Sequence, residues 1–365
     1  MTARPEILVA GGGLAGAAAA LALARAGREV LLLEREAAAK DKVCGEFLSG
    51  EGVAALARLG VDVMALGGQV IDHIRLLRGR RAVRAALPFR AVGLSRLVLD
   101  EAVLALAAET GAEIRRGCAI RRIDAGIVES AAENFAPGTL LLATGKHETR
   151  GLERPAPPGT LVGFKTHFRL APAAHAALSA HVELVLFPGG YAGLLPVEGG
   201  RANFSLVIEV DILRRLGGWP EVLGHVQESC PHLAARLSGA VPLRAAPLSV
   251  ARMPYGFVHR PAPDDLANCY RLGDQAAVIP SFTGDGTAIA LHSAALAARC
   301  IASGEGAALY HRRLGAQVGA QIRRAGWLYR ALSLPVLGAF SFSVVETVPA
   351  CLGFFAARTR LQHAD

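Results

Sequence analysis

The chain has 365 residues and is 52% hydrophobic, 19% charged and 5% aromatic, with 41 glycines and 19 prolines scattered without period. This composition excludes a disordered chain, a small disulfide scaffold, and collagen-like or coiled-coil architectures, and the length suits about two domains. The net charge of +8 is dispersed: Lys40, Lys42, Lys146 and Lys165 are the only lysines, and arginines fall in isolated pairs such as Arg115-Arg116 and Arg323-Arg324. That pattern argues against nucleic acid and for an anionic cofactor or an acidic membrane surface.

Taken in chain order, residues 6–10 form a continuously apolar run, as expected for a buried parallel strand. Gly11-x-Gly13-x-x-Gly16 follows, then an Ala/Leu helix that Gly27 terminates, and a second apolar strand over 29–33. This glycine turn explains an N-terminal apolar stretch that would otherwise mimic a signal peptide. Residues 41–50 read as a loop leading into a short helix. Strands are expected at 70–77 and 82–87, a helix at 96–110, strands near 113–116 and 119–123, and a buried strand at 140–143 that ends in Thr144-Gly145. From about 160 the pattern is strand-rich (162–170, 182–187, 192–196, 202–210), which reads as an antiparallel sheet. Helices follow near 211–217 and 220–237. A strand near 269–272 and a helix over 286–302 restore βα character. Between Arg330 and Arg358 the only charge is Glu346, but Pro335 and Pro349 interrupt the stretch. Packed or membrane-touching helices therefore fit better than a membrane span.

Cys44, Cys118, Cys230, Cys269, Cys300 and Cys351 are far apart and show no metal-ligand spacing. They predict no metal site and a reduced, cytoplasmic compartment.

The strand–glycine–helix unit is a dinucleotide fingerprint. Gly11 permits the turn, Gly13 admits the pyrophosphate, and Gly16 lets helix and strand approach; Leu14 and Ala15 present amides of the helix N-terminus. Glu34 ends the second strand eighteen residues after Gly16, placed to accept ribose hydroxyls and followed by Arg35. Gly273-Asp274, Pro280 and Gly284-Asp285-Gly286-Thr287 form a second glycine-rich approach to a helix. Asp274 suits a ribityl hydroxyl, and the amides of 284–287 suit a phosphate or a flavin carbonyl edge; Asp285 is alternatively a helix cap.

At these motifs the chain resembles two-domain FAD oxidoreductases of the p-hydroxybenzoate hydroxylase and geranylgeranyl reductase type. Gly11-x-Gly13-x-x-Gly16 with Ala20 and Gly27, Gly93-Leu94-Ser95-Arg96, and Gly273-Asp274 with Pro280 and Gly284-Asp285-Gly286 carry the resemblance. It implies FAD as cofactor, with Arg96, Thr144 and Gly145 among its contacts. The implied fold is α/β (α+β overall). A Rossmann-like FAD-binding domain of glutathione-reductase type (1–150 and 256–310) is interrupted by an antiparallel-sheet substrate domain (155–255, with strands from 70–90), and C-terminal apolar helices occupy 311–365. The segment Lys42-Val43-Cys44-Gly45-Glu46 resembles the reductase branch's Cys-Gly loop, and residues 188–196 resemble its substrate-domain motif without the usual tryptophan. Leu142-Ala143-Thr144-Gly145 stands where the hydroxylases carry Asp-Gly, so electrons from NAD(P)H arrive either directly or through a partner flavin reductase.

A flavin does the electron chemistry, so no catalytic triad is required. Cys44 reads as a proton donor beside the flavin, with Lys42 near it, or as a buried filler. Glu46 reads as a general acid or as a surface charge or cap. His167, Tyr191 and Tyr255 are expected at the substrate. The expected substrate is a hydrophobic polyketide, aromatic lipid or isoprenoid, with peripheral membrane contact through the C-terminal segment. Two reactions compete: hydroxylation through a flavin C4a-hydroperoxide, favoured by the larger part of the family, and C=C reduction, favoured by the Cys-Gly loop and the missing Asp-Gly. The balance leans to oxygenation. A halogenase, whose tryptophan-rich motif is absent, and a non-catalytic FAD or lipid carrier are the remaining alternatives.

Overall fold

The computed structural model describes residues 2–154, 159–333 and 335–361. Its first layer is a five-stranded parallel sheet in the order Cys269–Arg271, Thr139–Leu142, Ile7–Ala10, Val30–Glu34, Glu113–Arg116. Ile7–Ala10 and Val30–Glu34 are buried at every position, which is why they read as unbroken apolar runs rather than alternating ones. Helix Leu14–Arg25 packs between Arg96–Glu109 and Gly286–Ala302 in one core. Its alanines are short enough for three helices to approach closely.

The second layer is a nine-stranded sheet, and its central run is Leu161–Arg169, Arg201–Glu209, Gly190–Val197, Ala180–Phe187, Gln69–Arg78, Arg81–Gly93. Residues 69–93 therefore supply two strands to a sheet whose other long strands begin 68 residues downstream, at Leu161. One pairing departs from the expected antiparallel pattern: Ala180–Phe187 runs parallel to Gln69–Arg78. Period-two patterning reports which face a strand buries but not its direction. The expected start of this unit at 155 lies outside the described residues.

The helix expected over 220–237 is two helices, Trp219–Ser229 and Pro231–Leu237. Cys230 between them is extended, because a residue before proline is driven out of the α region.

The C-terminal part forms helices Ala307–Ser333, Pro335–Thr347 and Ala350–Arg358. Phe342 and Val345 pack with Leu76 and Val83 of the large sheet. The chain then returns to the cofactor side, where Arg360 and the Leu361 amide bind Asp285. Among the described residues no helix is long and apolar enough to cross a membrane.

Candidate active site

The glycine fingerprint folds as its spacing requires. A side chain at Gly16 would place its Cβ 1.9 Å from the Gly11 carbonyl oxygen, and one at Gly11, whose φ is +110°, would lie 2.6 Å from the Ala143 oxygen. Glycine is thus required at both positions. Gly13 caps helix Leu14–Arg25 without a side-chain hydrogen bond, so the first-turn amides point, unpartnered within the helix, toward the cavity. Glu34 is 8% exposed; one carboxylate oxygen accepts the Gly12 amide at 2.7 Å and the other the Glu36 amide at 2.9 Å.

Two cations stand over this turn. A Cβ on Gly13 would lie 3.5 Å from Lys42 Nζ and 3.8 Å from an Arg96 guanidinium nitrogen. Both cations are held by Asp100, which receives Arg96 at 2.6 and 2.9 Å and Lys42 at 2.9 Å. Burial opposes the Arg96 charge, but Asp100 and then Cys44 outweigh it and the guanidinium stays firmly protonated. Sequence reasoning placed Lys42 beside Cys44. In the structure Lys42 serves Asp100, and the cations acting on Cys44 are Arg96 and Lys146.

The second glycine-rich segment supplies another bare helix N-terminus. Gly284 is left-handed (φ +69°), with Phe47 pressed where a side chain would go. Helix Gly286–Ala302 begins without a side-chain cap. Asp285 neither caps that helix nor lines the cavity. Its carboxylate is fully buried on Ser49, Arg360, Gln321 and the Leu361 amide, where it ties the C-terminal tail to the motif. Asp274 faces the cavity and pairs with Lys146 at 3.0 Å. Burial would raise its carboxyl, but Lys146 prevails and holds it below the usual range. Pro280 and Gly16 do not line the cavity: Pro280 is buried and its carbonyl accepts Thr283, while Gly16 packs against Val9, Gly11 and Ala143.

These features bound one cavity of about 860 Å³. It runs from Gly11, Gly13, Leu14 and Ala15, past Arg35, Thr144, Gly145 and Gly273, to the second motif at Gly284, Gly286 and Thr287. It continues under the large sheet to Tyr191 and Tyr255 and reaches Leu328, Val344 and Phe355 of the C-terminal helices. FAD fits one arm of this space. Bare amides and two cations meet at Gly13 and would suit a pyrophosphate charge; carboxylates stand at the buried Glu34 and the half-buried Asp274; and a second bare helix start faces the far end.

The Cys44–Gly45–Glu46 loop lies on the cavity wall. Glu46 is fully buried and has a left-handed backbone, φ 58°, a conformation that costs about 1–3 kcal/mol in a non-glycine residue. The surroundings impose it. Lys165 Nζ lies 2.5 Å from Glu46 Oε1 and 3.2 Å from Asp41, His167 Nε2 lies 2.7 Å from Glu46 Oε2, and the Arg96 amide donates to Oε1 at 2.9 Å. Asn203 donates to the carbonyl oxygens of Cys44 and Gly45 at 3.3 and 2.7 Å. Glu46 is thus neither a surface charge nor a free acid, and His167, expected at the substrate, is buried behind the loop and does not line the cavity. Asp41, Glu46 and His167 have metal-ligand geometry, but the Lys165 ammonium occupies their midst. Sequence reasoning missed Lys165 and Asn203: they reach the loop from strands 119 and more residues away, and no local pattern marks them.

The chain matches the family model described as glucose inhibited division protein A over residues 6–147. It is 27% identical to menaquinone reductase of Mycolicibacterium smegmatis over 328 residues, which is 83% of this chain and 78% of that protein. It is also 27% identical to digeranylgeranylglycerophospholipid reductase 2 of Methanopyrus kandleri, over 77% of this chain and 72% of that protein. In fold it is similar to the flavin-dependent brominase Bmp2, with a TM-score of 0.81, 16% identity, and coverage of 98% of this chain and 94% of that one. Fingerprint, fold and relatives agree: the chain is an FAD-dependent oxidoreductase, similar in sequence to named reductases and in fold to a flavin-dependent brominase.

Proposed function

We propose that this enzyme reduces a C=C bond of a hydrophobic lipid of isoprenoid or quinone type. The observation that carries the reading is the continuity of the cavity. One arm holds the glycine turn and its cations, and the other is walled by Leu76, Leu184, Leu206 and Val207 and ends at the C-terminal helices. An extended apolar molecule is the ligand that such a wall selects. Of the two reactions that the family resemblance implies, oxygenation and reduction both keep support, and two observations lead us to take reduction. The two relatives above that align with most of this chain are named reductases, and the Cys44 loop is fixed on the cavity wall.

FAD, when bound, supplies the hydride. The protein positions and protonates. Lys42, Arg96 and the helix start at Leu14 hold the anionic part of the cofactor, and Asp274, steadied by Lys146, holds a hydroxyl. The buried Lys165–Glu46–His167 cluster fixes the backbone that carries Cys44. Cys44 Sγ, facing the cavity beside Arg96, is the proton source for the carbon that does not receive hydride. The large sheet and the C-terminal helices exclude water from this transfer. Electrons come from NAD(P)H, directly or through a partner reductase.

The C-terminal helices also form a peripheral membrane contact. Trp327, Val348 and Phe354 are exposed, Arg358 lies over the Phe354 ring, and Glu346 is paired with Arg81. Apolar side chains with surplus arginine suit an anionic bilayer surface.

The test is product mass. Purified enzyme, an NAD(P)H-driven reductase system and a prenylated quinone are incubated with and without oxygen. A product formed without oxygen whose prenyl chain still carries two extra hydrogens after the head group is reoxidised to the quinone supports the proposal. A product that gains one oxygen atom, and forms only in air, overturns it in favour of oxygenation.

A further inference from the structure

Where the lipid arm meets the second cofactor motif, three hydroxyls converge in an otherwise apolar wall. Tyr191 comes from strand Gly190–Val197, and Tyr255 and Ser281 come from the connections that flank the last parallel strand. The Tyr191 hydroxyl lies 2.5 Å from Ser281 Oγ and 3.0 Å from the Tyr255 hydroxyl, and Tyr255 lies 2.5 Å from Ser281. All three residues line the cavity. Their surroundings are Phe282 and Tyr329, which meet the Tyr191 ring edge-on at 5.9 and 6.0 Å, with Leu161, Val207 and Met253 behind. Tyr329 also meets Tyr255 edge-on at 5.9 Å, so the C-terminal helix holds both rings in place.

The proton count gives this trio a capability that a single hydroxyl lacks. Three hydroxyls carry three protons, and two protons suffice to join three oxygens in a chain. The third proton can turn from the longest contact, 3.0 Å between Tyr191 and Tyr255, to a ligand, and the oxygens keep lone pairs to accept one. Rotation about three C–O bonds switches between giving and accepting without moving a ring. The trio carries no formal charge. Burial pushes both phenols up, which keeps them protonated throughout the neutral range. An anionic head group here would lose its water, and the cation that acts on Tyr255, Lys146, is already paired with Asp274, which disfavours phosphate and carboxylate.

We propose that Tyr191, Tyr255 and Ser281 form a neutral subsite that binds the carbonyl or hydroxyl oxygen of a quinone-type head group. This rests on the proposed function only in placing the lipid in this cavity.

The experiment measures binding without turnover. Oxidised holoenzyme is titrated with a short-chain prenylated naphthoquinone and with the prenylated naphthalene that lacks both oxygens, in wild type and in Y191F, Y255F and S281A. Flavin absorbance and thermal unfolding confirm that each variant is folded. The expected result is tighter binding of the quinone by wild type, and a loss of about fivefold in quinone affinity in each variant, with naphthalene affinity unchanged. Equal losses for both ligands would mean that the residues only pack, and equal affinity of wild type for both ligands would mean that no oxygen is read; either overturns the subsite. Quinone binding that shows the expected pattern in an enzyme that never reduces the lipid would uphold the subsite and refute the proposed reaction.

Discussion

Lys165 is 1% exposed and is the cation that neutralises both Glu46 and Asp41 beneath the Cys44 loop. Its loss leaves the buried Glu46 carboxylate to His167 and the Arg96 amide, and Asp41 to Arg244 at 3.7 Å. Lys165→Met is expected to destabilise the protein by about 3–5 kcal/mol, read as a lowered urea midpoint. The double variant Lys165→Met/Glu46→Gln should recover part of that loss, since it removes one stranded charge. A second buried group sets an acid limit. His311 accepts the Arg271 amide at 3.1 Å, and burial first, then the neighbouring His259, pushes its imidazole down to about 3. An unfolded histidine titrates near 6.5. Between these values the unfolded chain binds a proton that the folded one does not. This contribution to stability is therefore intact above about pH 6.5 and is lost as pH falls toward 3. His311→Gln, which can still accept the amide, should flatten the pH dependence of the denaturation midpoint over that window relative to wild type; an unchanged slope would contradict the assignment. Neither feature was legible in the sequence. Lone residues of ordinary type acquire these roles only when distant strands bring partners to them.

At the scale of elements, the cofactor half was readable because its constraints are local. The strand–turn–helix unit, the helix at 96–110 and the helix at 286–302 each declare themselves within one window through apolar periodicity and glycine punctuation. Gly16 makes the point quantitatively. Gly16→Ala would put a methyl 1.9 Å from a backbone oxygen. The expected outcome is about 1–3 kcal/mol of destabilisation and purification of the protein largely free of flavin, measured by the ratio of flavin to protein absorbance. What the sequence did not reveal was non-local. The parallel pairing of Ala180–Phe187 with Gln69–Arg78 joins segments about a hundred residues apart, and neither segment encodes the partner's direction. The break at Cys230–Pro231, inside the single helix expected over 220–237, comes from a proline within an apolar periodicity that otherwise reads straight through. Asp285 shows the opposite difficulty. Its place before a helix reads as a cap or a ligand contact, yet Arg360 and Gln321, absent from any local window, claim its carboxylate.

At the scale of the whole molecule, the cavity exists because two sheets and three C-terminal helices enclose a space that no one of them bounds. This gives the apolar stretch between Arg330 and Arg358 two placements: Val345 and Leu352 close the apolar arm of the cavity, while Phe354 and Val348 face outward. Trp327→Asp combined with Phe354→Asp should reduce co-sedimentation with anionic phosphatidylglycerol vesicles about tenfold, with flavin content unchanged. Equal sedimentation of variant and wild type would remove the membrane contact and leave the cavity intact. The most direct test of the central claim is an anaerobic single turnover. Holoenzyme is reduced with one equivalent of dithionite and mixed with a polyunsaturated prenyl quinone, and the flavin absorbance is followed. The account predicts that oxidised absorbance returns without oxygen and that the lipid leaves with one double bond saturated. Flavin that stays reduced until air is admitted, with the prenyl chain unsaturated throughout, would contradict it.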